Sequence, residues 1–270
     1  MAIGAVDRRD RLGRSPHRHC LELWARLGVQ HSVCTRGLKN MVIAASARPS
    51  ERAEFIQKTY LHLAGAVAAF IVFEFLLFET GIAQGLTALL FGNGGLAWLL
   101  VLGAFMLIGW LSRGLAARAD DTNLQYLGLG LYVFIQGIIF APMLFVAHTY
   151  FQGENIIATA GVLTVAMFGG LTAIAFTTGK DFTFLGGILR IAGFVALGLI
   201  VCSLIFGFSL GLWFSAAMII FASGAILYDT SNVLHHFQTH QHVAAALELF
   251  ASVALLFWYI LRLLMQLSRN

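Results

Sequence analysis

This 270-residue chain reads as an all-α integral membrane protein, a bundle of seven transmembrane helices. Its charges are spaced in a way no water-soluble domain shows. Residues 60–112 carry only Glu74 and Glu79, residues 123–176 only Glu154, and residues 182–228 only Arg190. The composition agrees: 59% of the residues are hydrophobic and 11% charged, where an average soluble domain is about 25% charged. The remaining charges gather in short stretches between apolar runs. A bilayer is the solvent that such a chain requires.

The spans read in order as 60–79, 95–112, 124–147, 156–176, 184–206, 210–230 and 244–266. Each is near or above the ~18–20 apolar residues that cross ~30 Å of hydrocarbon as a helix. Helix is required because backbone groups meet no water there. A closed barrel would alternate polar and apolar residues, and these runs do not. The first span follows the polar stretch ending near Lys58, and the second stops at Arg113. The third is interrupted by Pro142, which removes a backbone donor and marks a kink. The fourth holds Gly169-Gly170 and the fifth Gly186-Gly187, pairs that permit close helix contact. Arg190 lies about one turn into the fifth, Asp229 closes the sixth, and Glu248 opens the seventh. Segment 82–94, with Gly85, Asn93 and Gly94, reads as an outer loop with a short interfacial turn.

Lys and Arg set the orientation. Arg48, Arg52 and Lys58 precede the first span, Arg113 and Arg118 follow the second, and Lys180 follows the fourth. Loops 80–94, 148–155 and 207–209 have none. The amino terminus is therefore expected in the cytoplasm and the carboxyl terminus outside, which puts Arg262 and Arg269 on the unfavoured side. Residues 1–54 form a polar amino-terminal extension, expected to be disordered, and residues 55–270 the membrane domain. No apolar secretory core follows Arg8–Arg18, so the expected site is a bacterial inner (plasma) membrane. The arginine-rich start leaves the mitochondrial inner membrane as the alternative. Met41 offers a second start site.

Several function classes fall away. The net charge of +4 is no nucleic-acid signature, because eight of the 17 Lys and Arg lie in the first 40 residues. Cys20, Cys34 and Cys202 match no disulfide or zinc spacing. Gly207-Phe-Ser-Leu-Gly211 spells a nucleophile elbow, but that motif needs a strand before it and a helix after. The better reading is a pair of small residues allowing helices to approach. In His235-His236-Phe-Gln-Thr-His240-Gln-His242, His236 and His240 would share a helical face, yet no cysteine or loop acid completes a tetrahedral set. A loop that responds to pH is the preferred reading, since histidine titrates near pH 6.5. No cofactor, metal or enzymatic activity is expected.

Three segments together resemble the Bax inhibitor-1 family, also called the transmembrane Bax-inhibitor-motif family. They are Phe176-Thr-Thr-Gly-Lys-Asp-Phe-Thr-Phe-Leu-Gly-Gly187, Ile226-Leu-Tyr-Asp-Thr230, and the last span from Ala245-Ala-Leu-Glu-Leu-Phe250 through Leu264. Phe55-Ile-Gln-Lys-Thr-Tyr60 fits as well. The resemblance implies a seven-helix bundle with the last helix at its centre. It implies one of two activities. Some members are pH-sensitive calcium leak channels, gated by an aspartate at the end of helix six, another in helix seven, and an arginine latch near the end of helix two. The YccA-like bacterial branch binds and restrains a membrane-embedded AAA protease. Asp229 matches the first aspartate, Arg113 is nearest to the latch, and Ser252 stands where the second aspartate would be. That departure leans the chain toward the YccA-like branch.

An ionisable group at membrane depth costs at least ~2.5–3.5 kcal/mol, so it faces the bundle interior or a wet cavity. Asp229 reads as part of a proton-linked gate or as an interfacial carboxylate capping the turn that follows. Glu248 lies four residues before Ser252, on the same helix face. It is the candidate for the second carboxylate opposite Asp229, where two close acids compete for ionisation. The alternative is an interfacial acid in the first helical turn. Arg113 anchors the second span or pairs with Asp229. Arg190 snorkels to the surface. Glu74 faces a cavity or is packed in its neutral form. The expected partners are the lipid bilayer and, by resemblance, calcium ions or a membrane-bound AAA protease.

Overall fold

The computed structural model describes residues 43–92, 94–116, 122–151 and 155–269. Most of the polar extension, together with Arg118 and Glu154, lies outside the described residues. After a 3-10 turn at Ala44–Ser46 come eight helices. They are α1 Pro49–Glu79, α2 Ile82–Gly92, α3 Gly94–Ala116, α4 Thr122–Tyr150, α5 Ile156–Thr178, α6 Leu185–Phe206, α7 Leu212–His235 and α8 His242–Leu267. All except α2 are long and apolar enough to cross a membrane, which gives the seven expected spans.

Two helices overrun their apolar windows. α1 begins at Pro49, where a proline at the first helical position costs no hydrogen bond, and α7 continues to His235. In segment 82–94, expected as an outer loop with a short interfacial turn, Ile82–Gly92 instead form the 11-residue α2. At ~1.5 Å per residue it is too short to cross. Its periodic face, Ala83 and Leu86, covers Leu77 of α1 and Ala141 of α4, and that burial holds it helical. Pro142 lies inside α4 without ending it.

α8 is the centre of the bundle, as the resemblance implied. In its most apolar window 72% of the residues are buried, against 6% for α6. The run Val243–Leu247 is almost wholly enclosed, and its alanines let neighbouring helices come close. Further along, Phe140 of α4 lies edge-on to Trp258 at 4.9 Å and stacks with Phe257 at 5.8 Å. Outward faces carry Phe194, Trp213 and Ile220, all exposed for contact with lipid.

The tight approaches fall only in part at the expected glycines: Gly186 makes one, the others do not. A Cβ on Gly169, Gly170, Gly187, Gly207 or Gly211 would meet nothing within 4 Å. Gly207 serves a different purpose, capping α6 in the left-handed region at φ +72°. The tight contacts are at Gly128, where a Cβ would stand 2.7 Å from the Ser112 carbonyl oxygen of α3, at Gly137 against Phe73, and at Gly186 against the Tyr228 ring.

Arg262, a charge expected on the unfavoured side, has an internal task. Its Nη2 donates to the Leu210 carbonyl at 3.1 Å. Gln266 Nε2 reaches the same oxygen at 3.4 Å, and Gln266 Oε1 accepts from Ser215 Oγ at 3.0 Å. The α6–α7 loop is thereby tied to α8.

Gly128→Ala forces Cβ into backbone that cannot swing aside, so it is expected to destabilise the bundle by about 1–3 kcal/mol. Gly103→Ala, with open space around it, should melt like the wild type. Thermal unfolding of the two variants in detergent checks the difference.

Candidate functional site: a charged cluster where α3, α7 and α8 meet

The bundle gathers at one end the start of α1, the end of α3, the start of α4, the end of α5, the end of α7 and the start of α8. Side-chain contacts between them fix this. The four site residues expected from the sequence stand together there. Ser252 Oγ on α8 donates to Asp229 Oδ2 on α7. One turn nearer the end of the bundle, Glu248 Oε2 accepts from Arg113 Nε at 3.2 Å. The guanidinium carbon also lies 6.0 Å from the centre of the Tyr132 ring, at the outer range of a cation–π contact. Ser252 is buried, whereas the Arg113 and Glu248 side chains keep 49% and 33% of their exposure. The cluster therefore runs from a half-open rim to a closed interior.

Two details differ from expectation. Arg113 pairs with Glu248 rather than Asp229, because Glu248 stands at its level while Ser252 occupies Asp229. Asp229 does not end its helix, since α7 runs six residues further, so capping the next turn is not its task. Arg190 is exposed on α6. Glu74 lies in the opposite half of α1, buried, with both carboxylate oxygens lacking a hydrogen-bond partner. Gly137 of α4 lies beside it, for a Cβ there would stand 3.6 Å from Glu74 Oε1.

A second polar group supports the cluster from outside, and sequence reasoning missed it. Asp181 Oδ1 accepts the Thr183 N–H at 2.9 Å and Ser231 Oγ at 3.2 Å, while Oδ2 faces His236 Nε2 at 3.2 Å. The Phe182 N–H donates to Ser231 Oγ at 2.9 Å. Loop 179–184 is so fastened to α7 two residues beyond Asp229. Gly179, at φ +60°, allows the chain to turn into it. The Tyr228 ring packs on Gly186 just behind. Two of the segments that carry the family resemblance thus lock onto each other. An aspartate in a short loop was the available signal.

Because α7 stops at His235, His236 and His240 share no helical face. His236 faces Asp181, His235 Nδ1 lies 3.0 Å from the Ser231 carbonyl, and the His242 ring is 4.9 Å from that of His62. Among the described residues no three His, Cys, Asp or Glu side chains are placed to hold a metal ion.

Seven apolar spans, the last of them buried among the others, with a charged cluster at one end, define an integral membrane bundle with a polar site. The chain belongs to the Bax inhibitor-1 family: residues 52–269 match the family described as "Inhibitor of apoptosis-promoting Bax1". It is similar to "Bax inhibitor 1" of Schizosaccharomyces pombe, 29% identical over 241 residues that cover 86% of this chain and 84% of the yeast protein. It is 35% identical to "Modulator of FtsH protease YccA" of Escherichia coli K12 over 138 residues, 50% of this chain and 61% of that protein. An uncharacterised protein of Pseudomonas aeruginosa is 36% identical over 113 residues, 42% of this chain and 50% of the relative. The chain thus spans half the length of the Pseudomonas relative. No solved structure matches.

The Thr183 backbone N–H, with help from His236 and Ser231, holds the Asp181 carboxyl well below the ordinary carboxylate range. A depressed folded value means that the anchor is at full strength above about pH 4 and is lost as pH falls through the folded value. Hydrogen exchange at the Thr183 amide should therefore stay protected from neutral pH down to about pH 4 and open only well below that, as pH falls through the folded value. Asp181→Asn should open the loop already at neutral pH.

Proposed function

We propose that this protein is a pH-gated leak pathway for calcium or a similar cation across a bacterial inner membrane, with Arg113 as the latch. One observation carries the reading: Arg113 reaches from α3 to Glu248 on α8 beside the Ser252–Asp229 bond that joins α8 to α7. A cation entering at this end meets two carboxylates and a hydroxyl, the oxygen donors that calcium prefers. Calcium takes 6–8 oxygens in a resident site, so this smaller set suits passage better than storage. With Glu248 ionised, the guanidinium is held across the gap between α3 and α8. A proton on Glu248 removes its partner and frees the latch. An ion pair this exposed is worth about 1 kcal/mol or less, weak enough to open and close. The Lys and Arg distribution supports placing this end, and the amino terminus, in the cytoplasm.

The similarity to YccA favours a second reading, a non-catalytic modulator that binds a membrane-bound AAA protease. Ser252 in place of an aspartate supports it too, since Asp229 meets a hydroxyl there and not a second carboxylate.

Calcium-dye liposomes containing the purified protein separate the two. The leak reading requires flux that rises as pH falls. Glu248→Gln should raise flux at neutral pH by roughly two- to fivefold, matching a pair worth up to about 1 kcal/mol, and flatten the pH profile. Asp229→Asn should lower flux. Liposomes no leakier than empty ones at any pH sink the leak reading. Co-purification of a membrane protease, lost on removing residues 1–54, would then support the modulator.

A further inference from the structure

Between α1 and α4, on the outer face of the bundle, lies an apolar groove of about 500 Å³. We propose that it holds one acyl chain of a phospholipid from the bilayer leaflet nearer residue 61, with the lipid phosphate at Lys58. The groove exists because side chains are missing. A Cβ on Gly65 of α1 or Gly130 of α4 would meet nothing within 4 Å, and Ala69 adds little bulk. At its deep end Phe73 and Phe134 close it, their ring centres 5.1 Å apart. Among the described residues no other helix lines it.

Its length selects the occupant. From Leu61 to Phe73 is twelve residues, ~18 Å of helix, against ~15 Å for one leaflet of a ~30 Å hydrocarbon core. A partner helix, or a second copy of this chain, would need a furrow running on through the bilayer, and this one ends near its middle. Its chemistry changes at the mouth. His62 Nδ1 donates to the Lys58 carbonyl at 2.7 Å, and His62 Nε2 is joined to the Tyr126 hydroxyl at 2.8 Å. One turn beyond stands Lys58, half-exposed, its ammonium 2.7 Å from Glu54 Oε1. An ammonium has three donors, so two remain for a phosphate. An apolar slot one leaflet long, closed below and with a lysine ammonium above, matches a phospholipid from end to end.

Native mass spectrometry of the full chain, released from detergent with phosphatidylglycerol as the probe, tests this. The wild type should carry one lipid on the monomer. Gly130→Phe, which fills the slot, should cut that occupancy by about tenfold, equivalent to ~1.4 kcal/mol. Gly65→Leu does the same from the opposite wall and stands in if Gly130→Phe fails to fold. Gly161→Phe, on α5 with open space around it, should leave the lipid in place. Lys58→Gln should weaken phosphatidylglycerol but not diacylglycerol. The proposal is overturned by a wild type without bound lipid, by groove variants that keep it, or by a dimer that the groove variants dissolve.

Discussion

The polar chemistry of this protein depends on the enclosure of α8. A helix surrounded by other helices, in a bundle itself surrounded by lipid, has little water to satisfy polar side chains. Four of them on α8 are answered by its neighbours. Glu248 is met by Arg113 of α3 and Ser252 by Asp229 of α7. Arg262 and Gln266 are met by the Leu210 carbonyl, and Gln266 also by Ser215 of α7. These contacts tie α8 to α3 at one end and to α7 along its whole length. The alanines of Val243–Leu247 permit the approach, and the aromatic packing around Phe140 fills the space beyond. Moving α8 by one turn would strand all four groups.

The two ends of the helix are held differently. At the Arg262 end a guanidinium and an amide converge on one carbonyl, a neutral acceptor that no proton can switch off. At the Glu248 end the contact is between opposite charges and is half open to its surroundings. Under the proposed function it is that end which responds to protons or to a passing cation. Loop 179–184 adds a brace there, since Asp181 grips the last turns of α7 just past Asp229. A change in this loop therefore reaches the cluster through one helix. The lining of the α1–α4 groove includes none of these residues, so the proposed lipid occupancy and the proposed gating can be tested separately.

The spans were legible because the bilayer imposes one rule on every residue of a long apolar run. The site was legible for a related reason: a charge inside such a run is costly, so Asp229, Glu248 and Arg113 stood out against their background. Which of them would pair was not. Arg113 is one helix away from both acids, and only the helical rise places it level with Glu248. Of the expected glycines only Gly186 makes a tight contact, because a glycine pair in a sequence does not say which face of the helix meets a neighbour. Gly169-Gly170 faces open space, while single Gly128 meets the backbone of α3. α2 escaped detection because its helicity comes from covering Leu77 and Ala141, a tertiary cause. Asp181 was hidden in a loop whose partner, Ser231, lies fifty residues on.

Cross-linking tests the contact between α7 and α8 most directly. In a chain whose Cys20, Cys34 and Cys202 are replaced by serine, Asp229→Cys is combined with Ser252→Cys and oxidised in native membranes. The facing of Asp229 and Ser252 requires rapid disulfide formation in this pair and little in the Asp229→Cys, Val253→Cys pair, whose second site is turned about 100° round the helix. Equal reaction of both pairs, or none in the first, would show that α8 does not present Ser252 to α7, and the charged cluster would not exist as described.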